Sequence, residues 1–199
     1  MRHTAILAAA LAALLALAAP ARAGMVEDCV QGRDPDLTIS GCTAVIRSGQ
    51  YSGRNLVVAY YSRGLAYHRL GDPARGIEDF DRAIRLDPGL AIPYNDRGAA
   101  YHKLGEHARA IEDYDQALRL NPGFAIAYDN RAIARCRLGQ VEASVSDRMQ
   151  AIRLGAFTAK DVQSYLRDRG FYKGAIDGNF GPASQQALRD WTAAGCPQN

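Results

Sequence analysis

The sequence predicts an all-α protein, a solenoid of helix hairpins with a small helical module at its C-terminus. Three observations carry this. A segment of 34 residues recurs along the middle of the chain. Glycines and prolines return with the same period, where helices have to end. From Thr158 the period is lost and a glycine-rich loop, GFYKGAIDGNFGPAS (170–184), separates two short helical patterns.

Residues 1–23 read as an export signal. Arg2 and His3 precede a run from Ala5 to Ala19 of Ala, Ile and Leu alone, Pro20 breaks it, and Ala21-Arg22-Ala23 has the A-x-A cleavage form. The run is shorter than the ~20 residues of a membrane span, and the residue after the site is Gly24 rather than the cysteine of a lipid anchor. Without Arg2 and Arg22 the chain has 22 basic and 21 acidic side chains, so the basic character of the whole sequence does not point to nucleic acid. Export makes Cys29, Cys42, Cys136 and Cys196 a disulfide set. Their spacings are not those of a zinc site.

Residues 24–56 read as a partial repeat. ISGCTAVIRSG (39–49) aligns with IEDFDRAIRLD (77–87), and Asp34-Pro35 has the form of an N-cap followed by N1. In this alignment Cys42 stands where Phe80 stands and Cys29 where Tyr67 stands, so a cysteine pair replaces an aromatic pair across a hairpin. This predicts a Cys29–Cys42 bond and, by elimination, a Cys136–Cys196 bond.

Three copies follow, at 57–90, 91–124 and 125–156. Tyr60, Gly64, Tyr67, Phe80, Ala83 and Pro88 of the first are matched by Tyr94, Gly98, Tyr101, Tyr114, Ala117 and Pro122 of the second, with Ala110 completing the set. On these residues the region resembles the tetratricopeptide repeat family, two helices per 34-residue unit. Small residues let paired helices approach while the aromatics fill the space between them. Gly71, Gly105 and Gly139 end the first helices, and Asp72-Pro73 starts a second one. The third copy departs: Arg135 replaces a tyrosine, Arg148 replaces the aromatic, and the closing proline is missing. A terminal repeat meets something other than another repeat, here the C-terminal segment.

Several repeated positions invite chemistry. His68, His102 and Cys136 form one row, but neighbouring helices lie ~8–10 Å apart and three ligands would not converge on one metal ion, so no metal is expected. Arg63, Arg97 and Arg131 are each followed 16 residues later by Asp79, Asp113 and Asp147, which reads as an ion pair joining the two helices of each repeat. Arg69, Lys103 and Arg137, next to the histidine row, read either as a basic ladder for an acidic peptide on the concave face or as a solvated edge. No catalytic constellation is present: there is no G-x-S-x-G, H-E-x-x-H or phosphate-binding loop. The sequence therefore predicts no enzyme and implies no cofactor.

In the tail, Thr158 and Asp161 form a capping-box pattern. Val162-Gln163 with Leu166, Gly170-Phe171-Tyr172-Lys173-Gly174, Asp177-Gly178-Asn179-Phe180-Gly181-Pro182-Ala183-Ser184, and Ala187-Leu188 with Trp191 then occur in order. On these residues 158–195 resemble the peptidoglycan-binding-like domain family, a small three-helix module often attached to bacterial cell-wall enzymes. Ser184 stands where that family has threonine and Thr192 where glutamine is common. The family's third helix is missing, and the helix ending near Leu154 is a candidate substitute. Asp177, Gly178 and Gly181 are expected to shape the turn, the glycines with positive φ. Phe180 and Trp191 are expected in the core. Glycan contacts are expected from exposed neighbours: Tyr165, Tyr172, Asn179 and Arg189.

These readings combine into an exported, non-catalytic, periplasmic scaffold. Its repeats bind an unidentified protein or peptide, and its module (157–199) tethers it to peptidoglycan, as the resemblance implies. Two alternatives are a pure adaptor whose tail only caps the repeats, and an accessory subunit of a cell-wall enzyme.

Overall fold

The computed structural model describes residues 24–196. The proposed signal (1–23) lies outside them. The described residues are helical throughout, with turns between, and divide after Pro88 into two compact units.

The first unit holds four helices: α1 (residues 24–31), α2 (Pro35–Arg47), α3 (Arg54–Arg69) and α4 (Pro73–Leu86). Asp34 caps α2 by accepting the Asp36 and Leu37 N–H groups, and Asp72 caps α4 by accepting that of Arg75. Both carboxylates take backbone donors that a helix start leaves unpaired. Cys29 is bonded to Cys42 and packs with Val45 and Ala59. Beside it the helices touch at Gly41, where a Cβ would come within 2.8 Å of the Cys29 nitrogen and the Met25 oxygen. A small residue and a disulfide thus hold together a hairpin with little core.

The second unit begins with two further hairpins, α5 (Ala91–Lys103) with α6 (His107–Leu120) and α7 (Ala125–Arg137) with α8 (Val141–Arg153). Gly71, Gly105 and Gly139 have φ of 83°, 80° and 70°, which closes each first helix as expected. Each of the three repeat hairpins, α3–α4, α5–α6 and α7–α8, keeps its ion pair. Arg63 grips Asp79 through Nε (2.7 Å) and Nη2 (2.8 Å), Arg97 grips Asp113 at 2.8 and 2.6 Å, and Arg131 grips Asp147 at 2.8 and 2.6 Å. The guanidinium of each also lies over the tyrosine three residues before it, Tyr60, Tyr94 or Tyr128.

The unit ends with α9 (Ala159–Asp168) and α10 (Pro182–Ala193). Thr158 and Asp161 form the capping box. Two helices cannot enclose a core, and this module does not try to. Leu166, Leu188 and Trp191 pack with Val145 and Cys136 of the third hairpin, with Met149 and Ile152 against them. α8 therefore supplies the missing third helix, and Cys136 is bonded to Cys196 across the same core. The departures of the third hairpin follow from this. Arg148 lies 5.1 Å from the Trp191 ring, where the other hairpins carry an aromatic of their own.

Candidate functional site

The loop of the tail module is organised by a residue that the motif contains but whose role sequence reasoning missed. Gln163, on α9, is fully buried. Its Nε2 lies 3.0 Å from Asp177 Oδ1, 3.0 Å from the Asn179 carbonyl, 3.1 Å from Ser184 Oγ and 3.4 Å from Tyr172 Oη. Its Oε1 accepts the Gly178 N–H at 2.9 Å. Two amide hydrogens are shared among these acceptors, so one carboxamide fixes the loop to both helices. The family pattern places this glutamine on the first helix, and only the fold brings it to the loop.

Asp177 also accepts the Asn179 N–H at 2.8 Å. The hydrogen bond from Gln163, then that from Asn179, hold its carboxyl below the usual carboxylate range. Gly178 has φ of 81°, as the turn requires. Gly181 does not share this: its φ is −78°, because it serves as the extended N-cap of α10. The expectation of positive φ is corrected there. Ser184 and Trp191 are buried, and Phe180 packs against the core from its edge.

The four proposed contact residues do not stand alike. Tyr172 is only 7 % exposed, and its hydroxyl donates to the Ala175 carbonyl at 2.9 Å. It is a core residue, corrected from an exposed one, because the loop folds back over its ring. Asn179 is exposed. Arg189 is half-buried, with Nε 3.7 Å from Glu142 Oε2. Tyr165 is half-buried between the edge of Trp191 (5.5 Å) and the Arg169 guanidinium (3.6 Å).

On the hairpins, Arg69 is exposed and donates to the Gly32 carbonyl at 2.8 Å. His68 is half-buried, and Lys103 and Arg137 are exposed. The ring of His102 meets His107 with their Nδ1 atoms 3.1 Å apart. Burial, then His107 and Arg137, push its pKa below the ordinary histidine value. Among the described residues no group of three or more His, Cys, Asp or Glu side chains could hold a metal ion, and no helix is long and apolar enough to cross a membrane. Sequence reasoning also missed Asp129, which is half-buried 3.0 Å from Arg148 Nη2. Burial raises its carboxyl pKa, and Arg148 offsets this in part.

Helix hairpins with a repeated ion pair and an appended helical module define the class. Residues 57–90 and 91–124 match the tetratricopeptide repeat, and residues 158–193 match the putative peptidoglycan binding domain. The chain thus carries two tetratricopeptide repeats and a C-terminal segment similar to a peptidoglycan binding domain. No curated protein matches it. Among solved structures, two crystal structures of MamA are similar. One is 18 % identical, with TM-score 0.63, over 85 % of this chain and 91 % of that one; the other is 19 % identical, with TM-score 0.64, over 89 % and 87 %. The first tetratricopeptide domain of Spaghetti (RPAP3), bound to an HSP90 peptide, is 24 % identical with TM-score 0.51 over 54 % of this chain and 86 % of that one. At these identities the likeness is one of fold.

Proposed function

We propose that the protein is an exported, non-catalytic scaffold of the periplasm, with a cap at 24–56, repeats at 57–156 and a wall-associating module at 157–199. The observation that carries this is the presence on one chain of tetratricopeptide hairpins and a segment matching a peptidoglycan binding domain. Two disulfides fit an oxidising compartment, and the signal-like residues 1–23 give the route. The hairpins take a partner protein or peptide, with His68, Arg69, His102, Lys103 and Arg137 as contact residues. Asn179, Arg189 and the open side of Tyr165 contact the wall.

The test is sedimentation of the chain lacking residues 1–23 with purified sacculi. Co-sedimentation is expected, weakened by Asn179→Ala with Arg189→Ala. A protein that stays in the supernatant removes the tether, and release of soluble wall fragments turns the reading towards an enzyme. One observation favours the capping alternative: the module shares its core and a disulfide with the third hairpin. Under that reading the folded protein does not sediment.

A further inference from the structure

Within the second unit, the turn between α5 and α6 brings two histidines together. His102 lies in the last turn of α5, and His107 is the first residue of α6. Their Nδ1 atoms are 3.1 Å apart. The turn is held by its own backbone: the Gly105 N–H donates to the His102 carbonyl at 3.0 Å and the Glu106 N–H to the Tyr101 carbonyl at 2.9 Å. The ring centroids are 4.6 Å apart, with the planes inclined at 43°. A straight N–H···N bond of this length would hold the centroids further apart. The nitrogens are therefore turned off their common axis, as two ligands of one atom must be. An ion about 2.05 Å from both, a zinc–imidazole bond length, would see them at about 98°. This lies between the right angle of tetragonal coordination and the tetrahedral angle. The position of His107 is taken by Pro73 in the hairpin before and by Val141 in the one after, so the pair is not part of the repeat pattern.

The surroundings select the kind of ion. Burial, then His107 and Arg137, favour the neutral form of His102, and the neutral imidazole is the form that binds metals. Glu106 gives its carboxylate to Arg109 at 2.5 Å. The ligands are therefore two neutral nitrogens with no anionic oxygen. That set suits zinc or copper and does not suit calcium or magnesium, which take oxygen ligands. We propose that His102 and His107 chelate one divalent transition-metal ion, zinc(II) or copper(II), which staples α5 to α6. The ring that donates in the metal-free pair moves its proton to Nε2, so that both Nδ1 lone pairs face the ion. Among the described residues no third His, Cys, Asp or Glu side chain completes the set, so the remaining positions belong to water. The positive charge of Arg137 beside His102 weakens the site relative to one with a carboxylate ligand. The ion binds whether or not the C-terminal module associates with the wall.

Equilibrium dialysis of the chain lacking residues 1–23 against zinc chloride is expected to show saturable binding of a single ion per chain. Copper(II) chloride is expected to bind more tightly, and calcium chloride not at all. His102→Gln and His107→Gln keep a neutral side chain, and each is expected to reduce zinc binding to background. Unchanged helical circular dichroism is the check on folding. Zinc is expected to raise the urea midpoint of the wild type and not that of either variant. Nitrogen NMR of the wild type needs no variant: zinc is expected to move the ring signals of His102 and His107 together and to leave those of His68. Absence of zinc binding, binding that survives both substitutions, movement of one ring alone or of His68, or equal binding of calcium overturns the site.

Discussion

The Gly178 N–H donates to Gln163 Oε1 at 2.9 Å, and this bond ties the module's loop to its first helix. Gln163→Ala removes it together with the contacts to Asp177, Asn179 and Ser184. Gly178, Asp177 and Asn179 are exposed, so water takes up the groups they lose, whereas Ser184 is buried and loses its partner outright. Leaving a buried polar group unsatisfied costs about 1–3 kcal/mol, so a loss of about 2 kcal/mol is expected in urea unfolding. Gln163→Glu is the sharper variant. It keeps the acceptor for Gly178, loses the amide donors, and places a carboxylate next to Asp177. Its deficit is expected to shrink as the pH falls and the new carboxyl protonates. A pH-independent deficit would show that shape alone, rather than the amide, matters there.

The hairpins depend on a different device. Arg97 and Asp113 are largely buried and bonded twice, and Arg97 also lies over Tyr94. Removing one member leaves the other without its partner, which costs about 3–5 kcal/mol for buried pairs. Replacing both by apolar residues of similar size costs less. Arg97→Met and Asp113→Leu are each expected to destabilise strongly, and the double variant by less than the sum. A double-mutant cycle measures this, and an additive result would deny the pair its role as a clamp.

How far the sequence could be read depends on whether a residue acts within its own repeat. Arg63, Arg97 and Arg131 with their aspartates were legible because each pair closes inside one 34-residue unit and recurs. Cys29–Cys42 was legible for the same reason, as a substitution in an aligned hairpin. Tyr172 was misplaced because a tyrosine beside glycines in a loop looks exposed, and only the fold-back of 170–181 buries it. Gly181 was misjudged because a helix N-cap and a left-handed turn both favour glycine. Arg148 stood out as a departure, but its partners, Asp129 and Trp191, lie 19 and 43 residues away with no period to reveal them.

The Cys136–Cys196 bond closes a loop of 60 residues. On chain entropy alone such a link stabilises by about 4 kcal/mol, and measured values often fall below this. Cys136→Ser with Cys196→Ser is expected to cost about 2–4 kcal/mol. The loss should be local: hydrogen exchange should rise first in α10 and the end of α9, whose core is shared with α8, and least in α5 and α6. Uniform loss across the second unit would mean that the bond supports the whole unit rather than the docking of the module. Mass mapping of unreduced peptides checks the pairing itself.

His102 gives the second unit a pH dependence of known sign. Its folded-state pKa is depressed, first by burial and then by His107 and Arg137. The unfolded chain therefore binds the proton more readily. Stability from this group is fully present above the ordinary histidine value of about 6.5 and is lost as the pH falls below it. Protonation would also set a charged ring against His107 at the present 3.1 Å separation. His102→Gln, which stays neutral, is expected to lose less stability than wild type between pH 7.5 and 5.5. Urea unfolding of both proteins at the two pH values measures this. Taking the difference between proteins cancels the contribution of Asp129, whose raised carboxyl pKa acts in the opposite sense, adding stability as the pH falls. Equal losses in the two proteins would show that His102 is not the group that titrates.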